Sequence, residues 1–455
     1  MTLKAKSGIQ AAFWMTVFTI GLVGLPACED DSDDGVSSEY EGRSAFLRVI
    51  HLSPNAPTVD VFINGWTLDK DLEQMETSRY FEVIAGEHII DISPAGASAK
   101  DSVKRVEGLR LEQGKYYTAF AYGDVADLKV GLMVDDFANR QDGTFRIRPV
   151  HAAGDFGEVD IWNLTEGQVW SILYENVPFG AVGNYIDLPL GVYTIGIDAD
   201  DDGRPEAVFD TPSIGEGSVI NLFAVSEAPV VFLLAQAQVG PPAKIDAGVA
   251  QVRLMHISPD APAVDAWVND RMEPLAQGLS YSSGTEYKSI YAGLHNFHIA
   301  PAGTSPEDAV LHAHELFLRP GRSYTVTAYN PLSEIKGMLL EDDNSPLEAD
   351  KIRVRAIHTA PGVGAVDIWN IERSGMPSQL YEGLGFAAVG DYLELPVDQY
   401  VLGFDVNGDG KPDVTFEIPR LPEGSIANVY AVNDGSRVSL IAQLANGGTA
   451  TIDSK

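Results

Sequence analysis

Two groups of residues have the types and spacing that chemistry requires. In the first, an arginine stands three residues before a histidine, and an aspartate follows that histidine by nine: Arg48/His51/Asp60, Arg148/His151/Asp160, Arg253/His256/Asp265 and Arg355/His358/Asp367. With Ser53, the first copy holds the Ser, His and Asp of a hydrolase triad. In the second group, Asp198, Asp200, Asp202 and Glu206 fit the pattern D-x-[DN]-x-D-G-x-x-[DE], and Asp405, Asn407, Asp409 and Asp413 fit it again. Alternate oxygens in such a loop can converge on one cation. Gly203 and Gly410 permit the turn, and the last carboxylate can close the shell. Hard oxygen donors suit Ca²⁺.

The triad reading meets three objections. Ala153 replaces the serine in the second copy, which keeps its His and Asp. No nucleophile elbow surrounds Ser53. Strand phase also turns His51 inward with Leu47 and Val49, and turns Arg48 to the opposite face. A histidine at the end of an apolar face is expected to tie a loop backbone to its strand. Asp60 is out of phase with Val59 and Val61, which places it on the arginine side. The expectation is therefore a cross-strand Arg–Asp pair in each copy: Arg48–Asp60, Arg148–Asp160, Arg253–Asp265 and Arg355–Asp367.

The acidic loops are not EF-hands. Strand-like segments flank them, and the twelfth position is Phe209 or Phe416 rather than Glu. The competing reading is an acidic hairpin turn, since Asp-Gly is favoured there in its own right. Pro94-Ala95-Gly96 and Pro301-Ala302-Gly303 occupy the same place in the other two copies, so two calcium sites are expected. Trp66, Trp162, Trp267 and Trp369 form a third set. They could make a carbohydrate platform, although packing at a sheet edge or against a neighbouring domain is the expected use.

The elements that position these residues are strands. In the first copy FLRVIHLS, TVDVFING, RYFEVI, EHIIDIS, VEGLRLEQG, YYTAFAYG and LKVGLMVDD alternate apolar and polar residues between turn formers. Seven strands in a hundred residues predict an immunoglobulin-like β-sandwich. An offset of 207 relates His151 to His358, Phe179 to Phe386, Tyr185 to Tyr392 and Gly203 to Gly410. A gapless offset of that length implies a duplicated two-domain unit. The chain is expected to be all-β, with four tandem sandwiches in the order A-B-A′-B′: 45–140, 144–243, 249–345 and 351–448. Pro241-Pro242 lies in the connector 240–250, the expected hinge of a semi-rigid string of beads. The polar tail after Ala445 is expected to fray.

The formal net charge is −34, which disfavours nucleic acid as a partner. Lys4 and Lys6 precede an apolar run, Ala11 to Leu25, which ends in Leu25-Pro26-Ala27-Cys28. That run is short for a spanning helix and reads as a lipoprotein signal peptide, residues 1–27, with Cys28 as the acylated residue. Residues 28–44 read as an acidic tether. Cys28 is the only cysteine, so acylation would leave no thiol for disulfides or catalysis.

RVIHLSPNAPTVDVFING, the Pro-Ala-Gly turns and the YTAFAYG strand resemble the bacterial family called domain of unknown function 4397 (DUF4397), over nearly all of residues 45–445. Copies two and four depart from the Pro-x-Ala-Pro loop. The resemblance implies a secreted or lipid-anchored β-rich envelope module and carries no catalytic or binding residues. The expected function is a non-enzymatic binding, adhesion or scaffolding role in the cell envelope, at the outer membrane, on its periplasmic face or the cell surface. Its partners would be the membrane, through the lipid, and envelope proteins or glycans. A calcium-assisted carbohydrate-binding adhesin and an envelope hydrolase are the alternatives.

Overall fold

A computed structural model describes residues 43–455, apart from 139–140, 228–229, 270–272, 372–376 and 436. The signal peptide, Cys28 and most of the tether lie outside the described residues. Among the described residues the chain is strand and loop, and helix is confined to short 3-10 turns.

Module A contains β1 (Ser44–His51), β2 (Val59–Ile63), β3 (Trp66–Leu72), β4 (Phe81–Ile84), β5 (Gly86–Pro94), β6 (Lys104–Leu111), β7 (Tyr116–Tyr122) and β8 (Lys129–Asp135). They form two sheets, β4-β1-β7-β8 and β3-β2-β5-β6. Within the first, β1 runs parallel to β7, with Arg48 opposite Thr118. Leu47, Val49, Val59, Val61, Ile90, Ile92, Tyr117 and Ala119 fill the space between the sheets. Apolar alternation does not mark β3. It is a polar edge strand whose pairing with β2 shifts register twice, so its side chains show no clean alternation.

Module B repeats the plan with β9 (Thr144–His151), β10 (Val159–Asn163), β11 (Ser171–Val177), β12 (Ile186–Pro189), β13 (Thr194–Asp198), β14 (Ala207–Asp210), β15 (Val219–Glu227) and β16 (Val230–Gln236). It adds β17 (Ala243–Asp246), giving sheets β12-β9-β15-β16-β17 and β11-β10-β13-β14. Modules A′ and B′ follow the same two plans.

Two expectations about the linkers change here. The connector taken for a hinge contributes β17, which pairs with β16 from Phe232/Asp246 to Ala235/Ala243. Beyond it, the Gly248 amide donates to Val208 O and the Ala292 amide to Gly248 O, which ties B to A′. The tail expected to fray forms a strand, Thr449–Asp453, paired with Val438–Leu444, and Ile452 is buried. Hydrogen bonding to an open sheet edge outweighs the weak apolar content of both segments.

The modules are also not beads on a string. The outer face of β1, β7 and β8 packs against the outer face of β9, β15 and β16. Ile50, Leu52, Phe120 and Met133 from A meet Val150, Ala152, Phe223, Val225, Phe232 and Leu234 from B in one cluster. Met255, Ile257, Tyr329, Leu340, Ile357, Tyr430, Val432 and Ile441 do the same for A′ and B′. The central strands are thus buried on both faces, and β15 has one exposed residue in nine.

Within that apolar contact sits a buried charge cluster. Arg148 Nη2 lies 2.8 Å from Asp135 Oδ1, and Arg48 Nη2 lies 3.7 Å from Asp135 Oδ2. Asn221 donates to Asp135 Oδ1 at 2.9 Å, and the Tyr80 and Thr118 hydroxyls donate to Oδ2. Arg48 crosses to Ala237 O of module B at 2.6 Å, and Arg148 crosses to Val134 O of module A at 2.9 Å. The guanidinium carbons stack on Tyr80 and Tyr185 at 4.6 and 4.2 Å. Burial lowers the Arg48 guanidinium from its ordinary value, and Asp135 opposes that shift. Burial, reinforced by Asp135, holds the Tyr80 hydroxyl well above the tyrosine range, so it remains a donor. The second pair repeats the cluster around Asp342, with Arg253 at 3.4 Å and Arg355 at 2.7 Å.

Removing a buried carboxylate leaves both arginines without a counter-charge, which typically costs about 3–5 kcal/mol. Asp135→Ala is expected to destabilise the A–B pair by about that amount in chemical denaturation, while A′–B′ unfolds as before. A loss below about 1 kcal/mol would show that the cluster does not hold the pair together.

Candidate functional site

The four motif histidines have one arrangement. Each ring is buried at the end of the first strand of its module. Its Nε2 reaches the carbonyl six residues on: Pro57 at 3.3 Å, Gly157 at 2.8 Å, Pro262 at 3.1 Å and Gly364 at 2.9 Å. In three copies Nδ1 accepts the amide two residues on, from Ala153, Ser258 or Ala360. The histidine therefore closes the loop between the first two strands from inside. Burial holds His51, His151 and His256 below the usual histidine value, against the opposing pull of the carbonyl bond.

The expected Arg–Asp pairs do not form. Asp60 accepts the amides of Asp71 at 2.9 Å and Gly96 at 3.0 Å, and Arg48 turns to Asp135 instead. Asp160 accepts from Asn176, Asp265 from Gly278 and Gly303, and Asp367 from Gly383. The reason is geometric. Arginine and aspartate both face outward, but from different sheets of the sandwich, so the core separates them by roughly 10 Å. The aspartate has a local task. Asp71, Asn176, Gly278 and Gly383 all lie at positive φ, between 49° and 61°. The carboxylate holds the amide of this left-handed bulge residue, a position that Asp, Asn and Gly tolerate.

The triad residues of copy one do not converge. Ser53 Oγ donates to Gly123 O, His51 holds Pro57 O, and Asp60 holds two backbone amides. The tryptophans do not share a platform either. Trp66 is 79% exposed at the β2–β3 turn and Trp267 is buried, while Trp162 packs beside Leu164, Val208, Ala292 and Phe317 where B meets A′. Trp369 holds the place of Trp162 in B′ and is half-buried.

The acidic loop of module B brings its four carboxylates together. One oxygen from each of Asp198, Asp200, Asp202 and Glu206 lies within 4.8 Å of the others. Asp198 sits in the turn and accepts from the Asp201 amide at 3.0 Å and the Gly203 amide at 2.8 Å. Glu206 accepts from the Ala199 amide at 2.9 Å. Glu206 is exposed on one side, but desolvation of its carboxyl by the surrounding loop, with Asp200 and Asp198 adding, pushes it up to about 7. Partial desolvation and Asp200 also raise exposed Asp202. Buried Asp160 stands directly opposite buried Asp198 across the β10–β13 ladder. In module B′ the aspartate holds the equivalent amides, and a side-chain amide replaces one carboxylate. Asp405 accepts from the Gly408 and Gly410 amides at 2.7 Å, and the Asn407 side-chain amide donates to Asp413 at 2.8 Å. Among the described residues, Asp405, Asp409 and Asp413 do not form a comparable set of converging carboxylates.

Asp135 and Asp342, the centres of the two buried clusters, were not singled out from the sequence. A signal was present: Asp-Asp ends the last strand of A and A′, 207 residues apart, and B and B′ lack it.

Paired sheets repeated four times define a tandem β-sandwich protein. The family model described as "Domain of unknown function (DUF4397)" matches residues 45–162 and 250–369, just over half of the chain, and the chain belongs to that family. Each match runs through an A-type module into the second strand of the B-type module that follows. No curated protein matches the chain. Among solved structures it is similar to one titled "Alpha-glucan binding by a streptococcal virulence factor", at 12% identity over 42% of this chain and 95% of that one, with a TM-score of 0.16. It is also similar to "The Bacillus anthracis TIE protein", at 10% identity over 87% of this chain and 69% of that one, again with a TM-score of 0.16. At that score neither likeness carries an argument about this chain.

The buried histidines give a pH prediction. An imidazole held below its unfolded value of about 6.5 binds its proton more readily in the unfolded chain. Its contribution to stability is complete above that value and is lost as pH falls toward the folded one. His256→Gln, in a module without an acidic loop, should therefore flatten the fall in Tm between pH 7.5 and 5.5. An unchanged slope would mean that His256 does not titrate with unfolding.

Proposed function

We propose that this protein is a non-enzymatic component of the cell envelope, held to the membrane by acyl chains on Cys28, whose four sandwiches serve binding, adhesion or scaffolding. One observation carries the reading. The polar residues that recur in every module are occupied in construction: histidine closes a loop, aspartate pins a bulge and arginine clasps the neighbouring module. A repeated motif used this way supports an architectural protein, with ligands taken where the modules differ. The envelope placement rests on the N-terminal sequence, with Lys4 and Lys6, the apolar run and Cys28. Cys28→Ser is expected to abolish incorporation of labelled palmitate and to move the chain from the membrane to the soluble fraction. Equal labelling of the variant would remove the anchor from the proposal.

A second reading, calcium-assisted recognition of a carbohydrate, is favoured by the acidic loop of module B. Four converging carboxylates, with buried Asp160 opposite buried Asp198, concentrate negative charge that a bound cation would neutralise. A cation that binds only the folded chain raises stability by about 2.7 kcal/mol at a hundred times its dissociation constant. Millimolar Ca²⁺ should raise the Tm of the natural chain and leave that of Asp198→Asn unchanged. Absence of both a Tm shift and calorimetric heat would exclude the calcium site. Calcium-dependent signal on a glycan array would favour the carbohydrate reading over a purely scaffolding one.

A further inference from the structure

Module A′ carries a histidine cluster that its twin lacks. His298 lies on the strand Gly293–Pro301, and His312 and His314 lie on its hairpin partner, Leu311–Leu318. His298 and His312 are direct cross-strand neighbours, and His314 is the next residue on the same face. Nδ1 of His298 lies 2.8 Å from Nδ1 of His312, with ring centroids 5.1 Å apart. His314 stacks parallel to His312 at 5.8 Å and lies 6.0 Å from His298. His312 and His314 are exposed and His298 is half-buried, so the group opens to solvent.

The same three positions in module A, 207 residues earlier, are Asp91, Arg105 and Glu107. There Arg105 bridges both acids, at 3.1 Å to Asp91 and 2.9 Å to Glu107. The comparison shows that this patch of the hairpin brings three side chains together. In A the set satisfies itself by charge. In A′ all three members are imidazoles, which are neutral metal ligands and cannot pair by charge with one another. A third of the nine histidines in the chain lie in this patch.

From this geometry we infer that His298, His312 and His314 form a surface site for a divalent transition-metal ion of the zinc or copper(II) class. Two nitrogens bound to one tetrahedral ion at about 2.05 Å stand about 3.3 Å apart, so the 2.8 Å pair needs to open by only about half an ångström. The three rings do not yet present one nitrogen each to a common point, so the exposed His314 ring must rotate toward the pair for the third donor to join. Water fills the fourth position, as in sites that keep one ligand exchangeable. Imidazole donors select zinc and copper over calcium, which sets this site apart from the acidic loop of module B.

The test is isothermal titration of the full chain with Zn²⁺, repeated on His312→Ala and His314→Ala. Both residues are exposed, so circular dichroism and Tm should remain those of the natural chain. The expected result is a saturable Zn²⁺ event that weakens by about tenfold or more in either variant. It should persist unchanged in Asp198→Asn. No binding, or binding that survives both histidine substitutions, would overturn the assignment and leave the pair as a proton-sharing contact. Loss in Asp198→Asn with retention in His312→Ala would also overturn it, by placing the ion at the acidic loop.

Discussion

Two arginines from different modules share one buried carboxylate, and the long-range architecture depends on that arrangement. Arg48 and Arg148 converge on Asp135, as Arg253 and Arg355 converge on Asp342. Taking three charged groups out of water is expensive, and the cost is tolerable only when each is fully hydrogen-bonded. Here carbonyls, hydroxyls, an asparagine and two aromatic faces complete the shell. Those partners come from both modules, so neither sandwich can satisfy its own arginine alone. The surrounding apolar cluster, with Phe120 and Phe223 6.0 Å apart, supplies non-directional attraction, and the charges set the register. A pair of modules is the structural unit, which agrees with duplication of a two-module segment.

Within each module the repeated histidine and aspartate solve a backbone problem. A sandwich of short strands needs tight connections whose amides and carbonyls are cut off from solvent. His256 supplies a donor to one buried carbonyl, and Asp265 accepts two amides beside a left-handed residue. A conserved spacing of nine residues thus reflects one loop and one bulge of fixed length. The same two residue types in the same spacing would serve catalysis only if they faced one another, and their sheets keep them apart.

The twins diverge where backbone demands are weakest. Pro-Ala-Gly turns in A and A′ occupy the place of the acidic loops in B and B′. One hairpin surface carries a salt-bridged Asp–Arg–Glu set in A and three histidines in A′. The two acidic loops also differ from each other. Asp198 and Asp405 hold equivalent loop amides, but Asn407 donates to Asp413 in B′ where the B loop has Asp200 and four carboxylates facing together. Duplication preserves the construction residues and leaves the rest free to diverge.

Much of this was legible in the chain itself. Alternation of apolar residues placed seven of the strands of module A, because each is half-buried in one core, and the offset of 207 exposed the duplication. Phase told His51 from Arg48, since neighbours on a strand must point to opposite faces. The polar edge strand Trp66–Leu72 and the late strands Ala243–Asp246 and Thr449–Asp453 were not legible, because each is held by hydrogen bonds to an edge and only Leu68, Leu72, Ile245 and Ile452 turn inward. The partner of each arginine was beyond reach for a deeper reason. Sequence determines which face of its own strand a residue occupies, while only the packing of one module on another decides what that face meets. Asp60 is twelve residues from Arg48 and lies across the core from it; Asp135 is eighty-seven residues away and lies beside it.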